Sequence, residues 1–560
     1  MATLPTNYQD ATALLGTLTE LPATTSRGLN AINTQINTNT TDIGVNAANI
    51  ASHTATLAGH TAAIAANTTV VNATTYGLVG DGTADDTAAL QNAINAAGAT
   101  LGPADVFLPI GTFSCTGLTG ASSMRIVGQG KTKSIIKVRS GTSATKLLNL
   151  SGCTNVTIEG VGFDGNNNTT CLSGVYVATN GGIKSLALRN CGFSNFMPVA
   201  QLSNVHAALY MWTSSGLYVD SCTFTNNGRA ISAQSPDGEV SVNRCTVTAS
   251  TGRMATGISV SEAGSAVTNA KVRFTNNYVD TADADASLVG AEGHGISVLK
   301  VHGVIITGNV CLNSGRGILV SGQGFGAIVS NNLCHHNIDA GIRVEPEISS
   351  TDVTVGTAGV PRGCIIANNV CHTNGAVFGG SHWGVGITAS YAAGTMMANN
   401  ICHDNWQWGI AVDSDRVQLF GNITYNNCTD ATFNPASAGH GNRAGIVNYA
   451  GSNCVFIGNT AFDNQTSKTQ NYGLSVSNNL TPVVLGNSFS GNATADIDNP
   501  DQISLTTVGL LTTAASTTGI AGIRLPHGAA PTSPVNGDMW TTTAGLFVRI
   551  NGVTKTVTLT

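Results

Sequence analysis

One short phrase recurs through the second half of this 560-residue chain: Asn-x-x-x-x-Asn, followed by Gly-Ile-x-Val. Its tightest repeats lie 22 to 24 residues apart. Repeats of this length are typical of solenoids, in which each unit buries its apolar face only against its neighbours. Because apolar residues alternate without helical periodicity, each unit is predicted to be a coil of short strands. The pattern predicts an all-β parallel β-helix. The asparagines that open the units are Asn309 (in a unit one residue shorter), Asn332, Asn369, Asn400, Asn422, Asn459 and Asn487.

The composition excludes several classes of partner. Charged residues make up 10% of the chain and its net charge is -6, which argues against binding to nucleic acid. No run of about 18 apolar residues is present, so we expect no membrane insertion. The first ten residues, MATLPTNYQD, lack the basic and apolar regions of a secretion signal. We therefore expect assembly in a reducing cytoplasm, in which thiols stay free.

The cysteines follow the repeat. Four of them fall two residues after a repeat asparagine and are predicted to stack as small buried side chains: Cys311, Cys334, Cys371 and Cys402. The last three are each followed by a histidine, namely His335, His372 and His403. Neighbouring side chains of a strand point to opposite faces, so these Cys and His residues cannot converge on one ion. We expect structural cysteines and no metal site.

A heptad pattern precedes the solenoid, after a polar segment at residues 1–28. Apolar residues recur every seven positions at Ile36, Ile43, Ile50, Leu57, Ile64 and Val71, and polar residues follow three positions later at Asn39, Asn46, His53, His60 and Asn67. This pattern predicts a coiled coil over residues 29–73, with polar layers that fix register and strand number. It resembles the asparagine-at-d stalks of trimeric viral fibres, which implies a homotrimer. The alternative is an amphipathic helix packed on its own domain.

Residues 76–113 read YGLVGDGTADDTAALQNAINAAGATLGPADVFLPIGTF. The segment resembles the start of the pectate-lyase-like β-helix superfamily, which is common in bacteriophage tailspikes. The resemblance implies a right-handed, single-stranded parallel β-helix over residues 74–504, with a capping helix after the Gly-Asp-Gly turn. Leu90, Ile94 and Ala97 would form the apolar stripe of that helix. Asp85 and Asp86 resemble a catalytic pair, but their position favours helix capping.

Residues 505–560 lose the asparagine repeat. Pro and Gly turns separate short alternating segments, such as 546–550 and 554–559, which are predicted to be strands. The segment resembles small terminal modules of phage tail proteins. We interpret it as a C-terminal β module that forms a tip or a trimer clamp.

The superfamily resemblance supplies no catalytic residues, because the His294-Gly295 pair has no accompanying Asn-Thr-Asp or Asp-Asp motif in the coils. The residue after Val in each Gly-Ile-x-Val should point outward. In that column the only carboxylates are Glu345 and Asp413, two coils or roughly 9.6 Å apart. This separation is near that of inverting glycosidases, so we predict Glu345 as acid and Asp413 as base. Glu347 and Asp415 form a second candidate pair.

A sugar groove is predicted on the same coils, where insertions lengthen the repeat. Aromatic rings stack on sugars, which favours Trp383, Trp406 and Trp408 as a platform, with packing between rungs as the alternative. Four further residues are predicted to contact substrate: Arg343 and Arg416, which could neutralise acidic sugars or pair with neighbouring acids, and the weaker candidates His382 and Tyr391.

Together these features predict a phage tailspike that binds and hydrolyses a host surface polysaccharide. Its N-terminal segment would attach to tail or baseplate proteins of the virion, and no motif predicts a cofactor. Three alternatives remain open. They are a non-catalytic receptor-binding fibre, a polysaccharide lyase that abstracts a proton beside a uronate, and a structural virion protein.

Overall fold

The structure is a computed structural model that describes residues 34–35, 37–42, 44–54, 69–100, 103–178, 185–196, 207–212, 216–249, 256–262, 270–282, 293–322, 325–345, 362–375, 384–430, 442–477, 480, 482–498 and 528–558. The chain divides into two compact units, residues 1–503 and 504–560. The first unit is all-β apart from short helices. Its strands form three long parallel sheets, the arrangement of a right-handed parallel β-helix.

Each coil contributes one strand to each sheet in turn. The first sheet has 15 strands, Thr69–Asn72, Ala104–Phe107, Met124–Val127, Val156–Glu159, Leu186–Arg189, Gly216–Asp220, Glu239–Asn243, Val272–Thr275, Ile305–Thr307, Ile328–Ser330, Ile365–Ala367, Met396–Ala398, Gln418–Phe420, Val455–Ile457 and Val483–Leu485. The second sheet also has 15, Asp81–Asp85, Gly111–Cys115, Ser134–Val138, Gly162–Asp164, Gly192–Ser194, Thr223–Thr225, Thr246–Thr248, Tyr278–Asp280, Val310–Leu312, Leu333–His335, Val370–His372, Ile401–His403, Ile423–Tyr425, Thr460–Phe462 and Ser488–Ser490.

The third sheet has 14 strands and carries the Gly-Ile-x-Val phrases. They are Leu118–Thr119, Lys146–Asn149, Ser173–Val177, Leu209–Trp212, Arg229–Gln234, Thr256–Ser261, His294–Leu299, Arg316–Ser321, Ala340–Glu345, Val385–Ser390, Ile410–Asp413, Ala444–Asn448, Tyr472–Val476 and Ala495–Asp498. The Ile and Val of the phrase point inward as predicted: Ile342, Val344, Ile387 and Val412 are fully buried in the central core.

The predicted cysteine ladder is confirmed. Cys311, Cys334, Cys371 and Cys402 are paired in register along the second sheet and have no exposed surface. All thirteen cysteines of the chain are free and buried. The histidines that follow them point outward, where the rings of His335, His372 and His403 stack at 4.9 Å spacing. Cys and His thus lie on opposite faces, as strand geometry requires.

The repeat asparagines satisfy the backbone at the turns. Each buried amide nitrogen donates to the next asparagine in the ladder and to a backbone carbonyl; Asn400, for example, donates to Asn422 Oδ1 at 2.9 Å and to the Ile366 carbonyl at 2.8 Å. Asn337, Asn374, Asn405 and Asn427 form a second ladder of the same kind. Buried turn groups are therefore hydrogen-bonded in every coil of these ladders, which explains why the asparagine spacing recurs.

The predicted capping helix spans Thr87–Gly98 and buries Leu90, Ala93, Ile94 and Ala97. The preceding acids serve the backbone. Asp85 accepts from the Thr87 amide at 3.0 Å, while Asp86 is buried and accepts from the amides of Val79, Gly80 and Ser114. Both acids therefore have structural roles at the start of the solenoid. A 3-10 helix, Ala73–Tyr76, lies just before this turn.

The described parts of residues 34–54 are helical, and Ile50 is 66% exposed in the single chain. Ile36, Ile43, Leu57 and Ile64 lie outside the described residues. The heptad boundary at residue 73 needs a correction: Val71 lies in strand Thr69–Asn72 and is buried in the solenoid core, so the β-helix begins there. Among the helices that the structure describes, none is long and apolar enough to cross a membrane.

The second unit contains a three-stranded antiparallel sheet of Met539–Thr542, Gly545–Ile550 and Val553–Thr556. The last two strands correspond to the segments predicted at 546–550 and 554–559. Trp540 stacks on Phe547 across the first pair, with ring centroids 5.8 Å apart. The clamp role of this unit stays a prediction.

Candidate active site

Glu345 and Asp413 share one outward column of the third sheet. Strand Ala340–Glu345 pairs with Val385–Ser390 through Val344 and Ala389, which brings Glu345 to the level of Ser390. Ser390 is in turn paired with Asp413. The two carboxylates are thus two rungs apart with Ser390 between them, as the repeat predicts. The outer face around them is not a bare surface, because Glu345 is 3% exposed and Ser390 is 8% exposed.

A buried ion-pair cluster surrounds Glu345. Its two carboxylate oxygens accept from Arg316 Nη1 and from Arg343 Nε, each at 2.5 Å. The same two arginines contact Asp339 Oδ2 at 2.7 and 2.9 Å. Two guanidinium groups and two carboxylates balance in charge, and all four side chains are at most 16% exposed. If one member of such a network lost its charge, a partner would be left as an uncompensated charge in a buried position.

This environment argues against Glu345 as the proton donor. A general acid must carry a proton at the start of the reaction, whereas Glu345 makes its two ion pairs as the carboxylate anion. The prediction that Glu345 is the acid rested on the ordinary pKa order of Glu and Asp and on nearby apolar rings. The structure instead places two guanidinium groups there, and Arg316 and Asp339 gave no distinctive signal in the sequence.

Asp413 has the opposite environment. Burial raises the pKa of its carboxyl to about 6, although the neighbouring Tyr449 hydroxyl and the charge of Arg343 lower it in part. A carboxyl with a pKa near neutrality can carry a proton to a leaving group or accept one from substrate. Of the two predicted carboxylates, Asp413 therefore has the environment that better suits a proton donor.

Tyr449 completes the group and was not predicted as a site residue. It follows strand Ala444–Asn448, and its amide donates to the Val412 carbonyl at 3.1 Å, beside Asp413. Burial, reinforced by the negative charge of Asp413, raises the pKa of the phenol. Tyr449 therefore keeps its proton and acts as a donor. Its place in the outward column directly after Asp413 was the available signal.

Trp408 is a packing residue, contrary to the predicted sugar platform. It is 1% exposed, its indole Nε1 donates to the Asn442 carbonyl at 2.9 Å, and it packs with Val385, Ala411 and Val447 in a small second core. A ring covered in this way offers no face to a sugar. The small outward side chains of these coils make room for the indole, so Trp408 follows the packing alternative.

The structure describes four of the remaining predicted residues, namely Trp406, Asp415, Arg416 and Tyr391. Trp406 is half-buried and lies against Gly375 and Gly384, whose lack of a side chain makes room for it. Asp415 accepts from the Ser452 amide at 2.9 Å, in the turn that also contains the exposed Arg416. Tyr391 is partly exposed and adopts a left-handed backbone directly after Ser390. Three residues lie outside the described part of the chain: Glu347, His382 and Trp383.

Comparison with known families gives a partial match. The pectate-lyase-like family described as rhamnogalacturonase A/epimerase matches residues 70–283. That segment ends before Arg316, so the match supports the fold and assigns no role to the residues of the candidate site.

The curated relatives match over a short stretch. Mannuronan C5-epimerases AlgE1 and AlgE2 of Azotobacter vinelandii are 41% identical to this chain over 78 residues. The stretch is 12% of this chain and covers only 6% and 8% of the two enzymes. The chain thus spans a small fraction of the length of the relatives it matches.

Solved structures resemble this chain over more of its length, but at low sequence identity. The catalytic unit of a GH87 α-1,3-glucanase from Streptomyces thermodiastaticus aligns with 76% of this chain over 69% of its own length, with a TM-score of 0.47 and 14% identity. The Dettilon tailspike protein aligns with 77% of this chain over 69% of its own length, with a TM-score of 0.42 and 16% identity. These values are too low to carry an argument about function.

Proposed function

We propose that this chain acts on a polysaccharide and hydrolyses it at the outer face of the third sheet. The observation that carries this proposal is the contrast between two carboxyl groups in one column. Asp413 is half-buried and burial raises its pKa to about 6, whereas Glu345 is ion-paired to two arginines. Paired carboxyl groups whose environments differ in this way are typical of acid catalysis on glycosidic bonds.

In this mechanism Asp413 protonates the oxygen of the leaving sugar. Glu345 remains an anion and stabilises the positive charge that develops on the sugar ring. The attacking water releases its proton to the solvent, from which Asp413 is protonated again. Two rungs correspond to roughly 9.6 Å along the axis, close to the upper end of the ~6.5–9.5 Å that inverting glycosidases use to admit water. Tyr449, which keeps its proton, lies beside the Asp413 carboxyl.

A lyase is the second candidate, and one contact favours it. Tyr449 is a protonated phenol beside a carboxyl group whose pKa lies below neutral pH. In a β-elimination, ionised Asp413 would abstract the proton beside a uronate carboxylate and Tyr449 would protonate the leaving oxygen. Against this candidate, Arg343 already pairs with Asp339 and Glu345, so its charge is balanced before any uronate binds.

The products distinguish the two reactions. Wild-type protein is incubated with purified bacterial capsular polysaccharides, O-antigens and exopolysaccharides, and the products are sized by chromatography. Hydrolysis gives shorter chains with new reducing ends and no ultraviolet absorbance. Elimination gives shorter chains that absorb because they carry a conjugated double bond. Unchanged chain length with tight binding would instead support the non-catalytic receptor-binding fibre.

We further propose that the protein is a tailspike of a bacteriophage virion, which adsorbs to a host surface polysaccharide. The support is architectural: a heptad segment precedes a capped β-helix, and a separate β unit follows it. Three chains in the heptad segment would cover Ile50, which is 66% exposed in one chain. Light scattering should give about three times the chain mass of 56.9 kDa. A monomer at micromolar concentration would contradict the trimer, and with it attachment to tail or baseplate proteins as a trimeric stalk.

A further inference from the structure

Aromatic residues in this solenoid usually cover one another. Phe163, Phe193 and Phe224 stack inside the coils with ring centroids 4.9 and 4.8 Å apart. The outward rings of His403 and Tyr425 stack in the same way at 4.7 Å. Such ladders arise because residues in register on successive rungs lie about 4.8 Å apart, close to the stacking distance of rings. A ring in a ladder has its faces occupied.

Tyr218 differs from these residues. It lies on the outer face of the first sheet, where its neighbours in register are Ala187 on one side and Ser241 on the other. Neither side chain is large enough to cover a phenol ring, and Tyr218 is 40% exposed. Its hydroxyl is held by Glu239 Oε2 at 3.3 Å, which fixes the ring position. The first sheet thus presents an oriented aromatic ring whose faces are open.

A depression of about 550 Å³ lies beside this ring, with Ala187 among its lining residues. Polar groups form the rest of its wall. Asp220 is fixed by three hydrogen bonds from Arg244, at 2.7, 2.9 and 3.1 Å, and by one from Asn243 at 2.9 Å. The pKa of Asp220 is lowered, chiefly by Arg244, so the group is a fixed carboxylate.

Arg189 supplies donors in the same depression. It is exposed and lies in register between Glu159 and Asp220. Among the side chains that the structure describes, none is within ion-pair distance of its guanidinium group. A guanidinium group carries five N–H donors in a fixed plane. The depression therefore combines an open ring, a fixed acceptor and a set of donors.

We propose that this depression is a second, non-catalytic site, which binds one sugar residue of a polysaccharide. A pyranose ring has an apolar face that stacks on a phenol and hydroxyl groups that need both donors and acceptors. Tyr218, Arg189 and Asp220 meet these needs in one place. A nucleic-acid backbone fits poorly, because Glu159, Asp220 and Glu239 would all face its phosphates.

The site is distinct from the group at Asp413, which lies on the third sheet. The choice of a polysaccharide as ligand rests on the proposed function. Two sugar sites on one rigid solenoid would raise the affinity for a long chain, since binding at one site increases the local concentration of sugar at the other. Short fragments would gain nothing from the second site.

The test uses an array of purified bacterial capsular polysaccharides and O-antigens. Every protein carries Asp413→Asn, so that bound glycan stays intact. In this background Tyr218→Ala and Arg189→Ala are compared with Tyr278→Ala, a matched control. Tyr278 is also 40% exposed, lies on the second sheet and has Thr246 and Val310 as its neighbours in register. All variants change exposed side chains, and their melting temperatures verify the fold.

We expect Tyr218→Ala and Arg189→Ala to weaken binding of at least one polysaccharide by about tenfold, the loss expected for one stacking or charged contact. Tyr278→Ala should bind as the parent does. Equal binding by the parent and both site variants, or no binding of any polysaccharide by the parent, overturns the proposal. Loss of binding by Tyr218→Ala without cleavage by the wild-type protein would contradict only the proposed hydrolysis. Cleavage together with unchanged binding would contradict only the second site.

Discussion

Tyr449 and Asp413 are neighbours on the outer face of the third sheet, where the negative charge of Asp413 helps to raise the pKa of the Tyr449 phenol. Two neighbouring coils bring these residues together. Val412 and Asn448 are in register, and Asp413 and Tyr449 are the residues that directly follow them. Burial raises the pKa of both groups, so a weak acid lies beside a phenol that retains its proton. This pair distinguishes the site from an ordinary polar patch.

Asp413 should make the fold less stable at alkaline pH. Burial raises the pKa of its carboxyl from 3.8 to about 6, so the folded protein holds this proton more tightly than the unfolded chain. The resulting stabilisation is present below about pH 4 and is lost as the pH rises through 6. Asp413→Asn removes a partly buried charge, so its free energy of unfolding at pH 8 should exceed that of wild type by up to roughly 2–3 kcal/mol.

Thermal and denaturant unfolding at pH 4 and pH 8 check this prediction. The increase in the free energy of unfolding of Asp413→Asn over wild type should be much smaller at pH 4. The matched control is Asp237→Asn, which changes an exposed carboxylate and should alter stability little at either pH. A variant that is less stable than wild type at pH 8 would show that the Asp413 charge is compensated in the fold.

Glu345→Gln should destabilise the fold because it leaves two buried guanidinium groups short of a partner. Removing one member of a buried ion-pair network costs on the order of 3–5 kcal/mol. Glu239→Gln is the control: its ion pair with Arg273 is long, at 3.8 Å, and both side chains are at least 32% exposed. Exposed pairs contribute at most about 1 kcal/mol. Similar melting temperatures for the two variants would argue against the buried network.

The asparagine ladder should be sensitive to single substitutions. Asn400 Oδ1 accepts from the backbone amide of Asn369 at 3.0 Å and from its side chain at 2.9 Å. Asn400→Ala leaves both buried donors unsatisfied, at a cost of about 1–3 kcal/mol each. Gln418→Ala changes an exposed residue in a neighbouring strand and serves as the control. Denaturant unfolding of the two variants measures the difference, and equal stability would contradict the role of the ladder.

Native cysteines should resist alkylation. Cys334 and Cys371 have no exposed surface, and burial raises the pKa of both thiols well above the ordinary value. The thiolate is the reactive form, so both access and ionisation are suppressed. Mass spectrometry after treatment with iodoacetamide should find these thiols unmodified in native protein and modified after denaturation. Rapid labelling of native protein would contradict their inward position.

The fold could be predicted from the sequence because one repeat determines it. Residues that alternate along a strand must alternate between core and surface, so the spacing of Cys371 and His372 predicts their opposite faces. The capping helix could be predicted for a similar reason, since Leu90 and Ile94 form one stripe. Val71 was misassigned because a valine at heptad spacing suits a strand equally well.

The candidate site was less predictable, because its chemistry depends on contacts between coils. The sequence predicted that the outward column contains Glu345 and Asp413. It did not predict that Arg316, from another rung, forms an ion pair with Glu345. The sequence also gives no sign that the outer face carries a second core. That core buries Trp408 and encloses one side of Tyr449, and it changes which residues can reach a substrate.

The most direct test of the proposed hydrolysis is the turnover of Asp413→Asn on a polysaccharide that the wild-type protein cleaves. Loss of a general acid should lower turnover by roughly 10²–10⁴, while the affinity for the intact polysaccharide stays within about twofold because the side-chain size is kept. Reducing-end release measures the first quantity and equilibrium binding the second. Cleavage by Asp413→Asn at the wild-type rate would contradict the account and place the chemistry elsewhere on the solenoid.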